Sequence, residues 1–158
     1  MDDKALRARA LAALALREHS RVELCRKLMR AVQRAAERAQ ETPADDAGPR
    51  VDRLLDALQA QGLLSEQRYM ESRLRTRAPR LGARRLAAEL AQQGLAPSGE
   101  AWEQVQATEA ERAQALLTKR FGEPPPVDER DFARRVRFLV SRGFASDLAL
   151  RLVKGTRR

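Results

Sequence analysis

Cys25 and His19 are the only thiol and the only imidazole in this 158-residue chain. One cysteine excludes an intramolecular disulfide. One Cys and one His cannot complete the four-ligand shell of a structural zinc site. They also lie too close in sequence to argue for a Cys–His nucleophilic pair. Cys25 falls in RVELCRKLM, where a small, partly buried apolar residue is the plainer reading. His19 precedes Ser20, a helix N-cap, and reads as a turn residue. The chain has no G-x-x-x-x-G-K-[ST] loop and no G-x-G-x-x-G fingerprint, and its carboxylates follow no metal-ligand spacing. No catalytic, cofactor-binding or metal residue is assigned. Cys25→Ser and His19→Gln are expected to leave function intact.

The positive chemical signal is arginine. Thirty-one basic residues face twenty-two acidic ones, for a net charge of +9, and only four of the basic residues are lysines. The guanidinium offers a planar fork of donors that matches phosphates and carboxylates and is weakly hydrated enough to enter interfaces. That chemistry points to nucleic acid, an acidic protein surface, or both. A G- and C-rich coding bias would also enrich arginine and alanine, so position must decide. From Arg68 to Arg85 there are seven basic residues and one acidic residue, Glu71.

The elements that carry these groups read as helices. Twenty-eight alanines, no isoleucine and six aromatics make a leucine–alanine core, which suits helix packing and supports a sheet poorly. No apolar run approaches the roughly 20 residues that span a bilayer, and MDDKALRARA lacks a signal-peptide layout, so a cytoplasmic location is expected. Leu6, Ala10 and Leu14 mark a first helix. Ser20 with Glu23 is a capping box opening a second, with Leu24 and Leu28 inward. Its Arg/Ala-rich end runs into a polar, non-helical segment, Gln40 to Arg50. Val51, Leu54, Leu55 and Leu58 mark a third helix, stopped by Gly62. Ser65 caps a fourth, carrying Met70, Leu74 and Ala78.

A fifth helix runs from about Ala83 to Gln93, and a short sixth from near Ser98 to Val105. Thr108 and Glu111 form a second capping box for a seventh, Thr108 to Arg120. Phe132, Val136, Leu139 and Val140 are the inner stripe of an eighth, and Ala145, Leu148 and Leu152 mark a ninth. Leu86-AAE-Leu90-AQQ-Gly94-Leu95 repeats in Leu54-LDA-Leu58-QAQ-Gly62-Leu63, and Leu139-VSR-Gly143-Phe144 repeats its ending. Each glycine is expected in the left-handed conformation, with the next apolar residue folding back. Paired arginines, Arg84–Arg85 and Arg134–Arg135, precede similar stripes. The expectation is an all-α protein of three tandem three-helix repeats, elongated and curved: residues 1–64 with a polar insertion at 40–50, 65–107 and 108–158.

The run Ser65 to Ala96, with Tyr69, Arg80-x-Gly82-x-x-Arg85-Leu86 and Glu89-Leu90 before Gly94, resembles the signature segment of the RecX family of RecA regulatory proteins. Ala15 to Leu28 is similar to that family's first repeat, and Arg137 to Gly155 to its closing repeat. Two departures concern the first repeat: Val32 stands where a stop glycine is usual, and Gln33 to Arg50 make a long connection. The resemblance implies a non-enzymatic regulator without a cofactor. It would bind the RecA filament on DNA and lower its ATPase, strand-exchange and coprotease activities, in DNA repair, recombination and the SOS response. Its partners would be the RecA filament and DNA, bound as a monomer, with no membrane.

Helical projection gives the expected partner-binding residues as Arg68, Arg73, Arg75, Arg77, Arg80, Arg84, Arg85, Arg134, Arg135, Phe138 and Arg142. Phe138 is expected to project away from the core stripe. Arg73, Arg77, Arg84 and Arg85 are expected outside the leucine stripes, so their reversal to Glu should cost little stability. A solvated arginine face is the plain alternative. Two other functions stay open: a basic helical module binding DNA directly, without RecA, and an enzyme with an unrecognised site.

Overall fold

The computed structural model describes residues 1–155, and these form nine α-helices and no strand. They are α1 (Asp3–Leu16), α2 (Arg21–Ala39), α3 (Ala47–Ala60), α4 (Glu66–Arg77), α5 (Ala83–Ala91), α6 (Glu100–Ala107), α7 (Glu109–Phe121), α8 (Glu129–Ser141) and α9 (Ser146–Gly155). In sequence they group as three tandem three-helix repeats. In packing, the chain divides into two compact units, with the boundary inside α4, between Tyr69 and Met70.

The first unit has an apolar core of Leu6, Ala10 and Ala13 from α1, Leu24 and Leu28 from α2, Val51, Leu55 and Leu58 from α3, and Leu64. Asp2 caps α1 by accepting the Ala5 amide at 2.7 Å, and Ser20 caps α2 by accepting the Glu23 amide at 3.0 Å. His19 is more than a turn residue: it is buried, with Nδ1 3.0 Å from the Arg17 carbonyl. The polar segment is shorter than expected, because α3 begins at Ala47. Pro49 lies in its first turn, where a missing N–H costs no helical hydrogen bond.

Helix α2 runs for 19 residues, past Val32, and ends where Gln40 takes the left-handed conformation at φ 56°. The Glu41 amide then donates to the Ala36 carbonyl at 3.0 Å. That is the helix-stop geometry of the glycines, moved downstream and carried by glutamine. Gly62, Gly94 and Gly143 adopt φ of 69°, 72° and 93°. The following amides bond back five residues, Leu63 to Leu58, Leu95 to Leu90 and Phe144 to Leu139, so the three stops share one motif. After Gly62 it is Leu64, one residue later, that folds into the core, leaving Leu63 exposed.

In the second unit, Ala113, Leu117, Leu139, Phe144, Leu148, Ala149 and Val153 form the core of the last repeat. Asp128 caps α8 through the Asp131 amide at 2.7 Å. Two expectations are corrected here. Thr108 makes no side-chain cap for α7; its hydroxyl donates to the Gln104 carbonyl at 2.8 Å, finishing α6, because a single residue separates the two helices. Val140 is exposed and leaves the inner stripe of α8, while Phe132 and Val136 pack at the core edge.

Candidate partner-binding surface

Arginines divide by whether a carbonyl or carboxylate lies within reach. Arg112 on α7 is the most committed. It donates to the carbonyls of Ala78 at 2.7 Å, Leu81 at 2.6 Å and Val105 at 2.7 Å, closing the ends of α4 and α6. Burial pulls its guanidinium pKa down, and Glu109 opposes that shift. Glu109 meanwhile accepts the Ala83 amide at 2.9 Å, capping α5 from another repeat.

The signature residues Gly82 and Arg85 form a joint. Gly82 and Arg84 donate their amides to the carbonyls of Arg142 (2.8 Å) and Gly143 (3.2 Å), and Arg85 Nη1 donates to the Ser141 carbonyl at 3.2 Å. The start of α5 thus satisfies the end of α8, unpaired donors meeting unpaired acceptors with helix dipoles head to tail. A β-carbon at Gly82 would enter the Gly143 carbonyl and the Phe144 amide, and one at Gly143 would meet the Arg85 backbone and β-carbon. Both positions need glycine.

Other expected contact residues also have internal partners. Arg68 Nε bonds Glu18 at 2.7 Å and its Nη2 bonds the Gly62 carbonyl at 2.9 Å, fixing the turn into α4. Arg77 pairs with Glu89 at 2.7 Å, and Arg73 reaches the same carboxylate at 3.5 Å. The Arg77 hydrogen bond holds the Glu89 carboxyl below its ordinary range. Reversing Arg77 would therefore set two carboxylates together, so the expectation that the four-arginine reversal is nearly free of cost is corrected.

Arg135 is buried, bonded to Asp131 and to the Pro124 carbonyl at 2.9 Å. Arg134 is exposed and also pairs with Asp131, at 2.8 Å. The Arg134 hydrogen bond is the largest influence lowering the Asp131 pKa, with burial opposing and Arg135 assisting. Phe138 does not project freely: it meets Phe121 edge-on at 5.4 Å, and Arg142 covers its ring at 5.2 Å.

Arg68, Arg75, Arg80, Arg84, Arg85 and Arg134 of the expected residues are exposed, and of these Arg75, Arg80 and Arg84, all on the middle repeat, have no side-chain ion pair or hydrogen bond among the described residues. Arg75 stands with Glu71 and Glu100 around an open groove of about 620 Å³ between α4 and α6, floored by Leu74, Ala78 and Val105. The expected list also omits a row on α2: Arg26, Arg30, Arg34 and Arg38, all exposed. Their spacing of four was visible in the Arg/Ala-rich stretch. It became a single face only once the helix was known to continue past Val32.

Among the described residues no group of three His, Cys, Asp or Glu is placed to hold a metal ion, and no helix is long and apolar enough to cross a membrane. The molecule is a tandem three-helix-repeat protein whose surface chemistry is carried by arginine. Residues 107–153 match the family described as "RecX, third three-helix domain". The chain belongs to the RecX family of regulatory proteins. It is 43% identical to Regulatory protein RecX of Ralstonia pickettii over 152 residues, 95% of this chain and 87% of that protein. It is 41% identical to Regulatory protein RecX of Leptothrix cholodnii, over 94% of this chain and 87% of that one. The crystal structure of RecX from Lactobacillus salivarius superposes with a TM-score of 0.67 at 17% identity, covering 98% of this chain and 96% of that chain.

Proposed function

We propose that this protein is a cytoplasmic, monomeric, non-enzymatic regulator that binds the RecA filament on DNA and lowers its ATPase, strand-exchange and coprotease activities. The observation that carries this reading is the family membership over nearly the whole chain. The distribution of arginines supports a binding surface on the middle repeat. Arg75, Arg80 and Arg84 are exposed without internal partners, whereas Arg73, Arg77 and Arg85 are held by partners within the repeats, as Arg134, Arg135, Phe138 and Arg142 are on the last repeat.

The test adds the protein to RecA on single-stranded DNA with ATP. ATP hydrolysis and repressor cleavage should fall, and unchanged rates with protein in excess would reject the reading. Arg75→Glu, Arg80→Glu and Arg84→Glu together should preserve the fold and weaken filament binding at least tenfold, because reversal turns attraction into repulsion.

A further inference from the structure

Helix α2 presents five basic residues on one face. At about 100° per residue, Arg26, Arg30, Lys27, Arg34 and Arg38 fall within a sector of about 120°. The buried residues Leu24, Leu28 and Ala31 occupy the other side. All five basic side chains are exposed. Arg34 Nε folds back to the Arg30 carbonyl at 3.2 Å, leaving its terminal nitrogens outward. None of the four arginines makes an ion pair among the described residues. Two acids of α2 share the sector, one near each end: Glu23 pairs with Arg17, and Gln33 donates to the Glu37 carboxylate at 3.0 Å.

Such a row works against the helix itself, since like charges four residues apart repel. Elsewhere in the first unit Arg21 has Asp52 and Asp56, Arg50 has Asp3 and Arg68 has Glu18, while Arg9 and Arg53 stand singly at the surface without an ion pair among the described residues. The four on α2 have none, although the helix that carries them has been extended by two turns beyond the usual stop position. From Arg26 to Arg38 the row is about 18 Å long. A nucleic-acid strand in a duplex places roughly five phosphates along that length.

We propose that the α2 arginine row is a second binding site, which grips the phosphate backbone of a nucleic-acid strand without the recombinase. The site is independent of the middle-repeat surface and reads no sequence. Its contacts are guanidinium-to-phosphate, so binding releases counterions and weakens steeply with salt.

The test uses the full chain and a labelled oligothymidylate about 30 nucleotides long, with no RecA present, titrated at several salt concentrations by fluorescence anisotropy. Arg26, Arg30, Arg34 and Arg38 are changed together to Gln, a good helix former, and circular dichroism and a thermal melt check the fold. The comparison variant changes Lys119, Arg130, Arg151 and Lys154 to Gln, all exposed in the second unit, so both variants fall from +9 to +5. The row variant should bind at least tenfold more weakly, with a log–log salt slope smaller by about 3. The comparison variant should stay within twofold of wild type. Changing the row to Lys keeps the charge and should retain most of the slope, which guards against a folding artefact in the Gln variant. Undiminished binding by the row variant overturns the proposal, and so does an equal loss in the comparison variant, which would make the effect bulk charge. Row-dependent binding to polyglutamate without binding to the oligonucleotide also overturns it, in favour of an acidic protein partner. Because RecA is absent, none of these outcomes bears on filament regulation.

Discussion

The two compact units solve the same problem, stacking short helices, with different chemistry. The first closes an apolar core of leucine, alanine and valine and leaves its arginines at the surface, some paired and four in an outward row. Its ion pairs are solvent-exposed on at least one side and contribute little, because water and salt screen them. The second unit draws arginine inward. Arg112 closes two helix ends, Arg135 is buried against Asp131, and Arg85 helps bind one helix start to another helix end. Helices shorter than about three turns, such as α5 and α6, have more unpaired terminal groups than internal bonds. A guanidinium with five donors satisfies several carbonyls at once. Short helices need such closure more than long ones do, and α2 does not.

That contrast is broken most severely at Arg112. Arg112→Met keeps the volume and strands the carbonyls of Ala78, Leu81 and Val105, each costing about 1–3 kcal/mol when left unpaired. Stability should fall by about 4 kcal/mol. Hydrogen exchange should rise across α4–α7, with α1–α3 unchanged. Leu28→Ala makes the matching cut in the first unit, removing a fully buried side chain from an apolar core. It should cost about 3 kcal/mol, read from denaturant midpoints, with the loss of protection confined to α1–α3. If either change loosened both units equally, the division of labour would be wrong.

Gln40→Gly sharpens the comparison from the other direction. It places glycine in the left-handed stop of α2, as at Gly94 and Gly143, and should raise the melting temperature by a few degrees, equivalent to roughly 0.5–1 kcal/mol. The smallest effect concerns Glu89. Arg77 lowers its folded-state pKa, so the pairing adds stability above the usual carboxylate range and loses it as pH falls through the depressed value. Wild type should exceed Glu89→Gln by no more than about 1 kcal/mol at pH 7, and the two should converge between about pH 5 and pH 3.

Much of this architecture was legible in the residues. Apolar spacing together with cap and turn signals located all nine helices, and the three stop glycines took the backbone conformation that their apolar followers required. Ser20 and Ser65 announced the starts of α2 and α4. What the sequence hid has one physical origin: partners far along the chain. Nothing near Arg112 indicates three carbonyls 7 to 34 residues away, and nothing near Glu109 indicates the Ala83 amide. Thr108 has the composition of a cap and uses its hydroxyl on the preceding helix instead. For the candidate surface, the arginine-rich stretches mark elements and not orientations. They could not separate Arg75 and Arg84, which face outward, from Arg77 and Arg135, whose charges are answered inside.

The joint at Gly82 and Gly143 bears on how such a protein can be cut. Duplication of a three-helix segment suggests beads that could be removed one at a time. A fragment ending at residue 107 would keep every helix of the middle repeat and lose Glu109, Arg112 and the carbonyls of Ser141, Arg142 and Gly143 that finish α4, α5 and α6. A break placed in the turn ahead of α4 severs none of those bonds. The segment that repeats in sequence and the segment that packs as a unit therefore have different edges, and a minimal fragment for expression should follow the second.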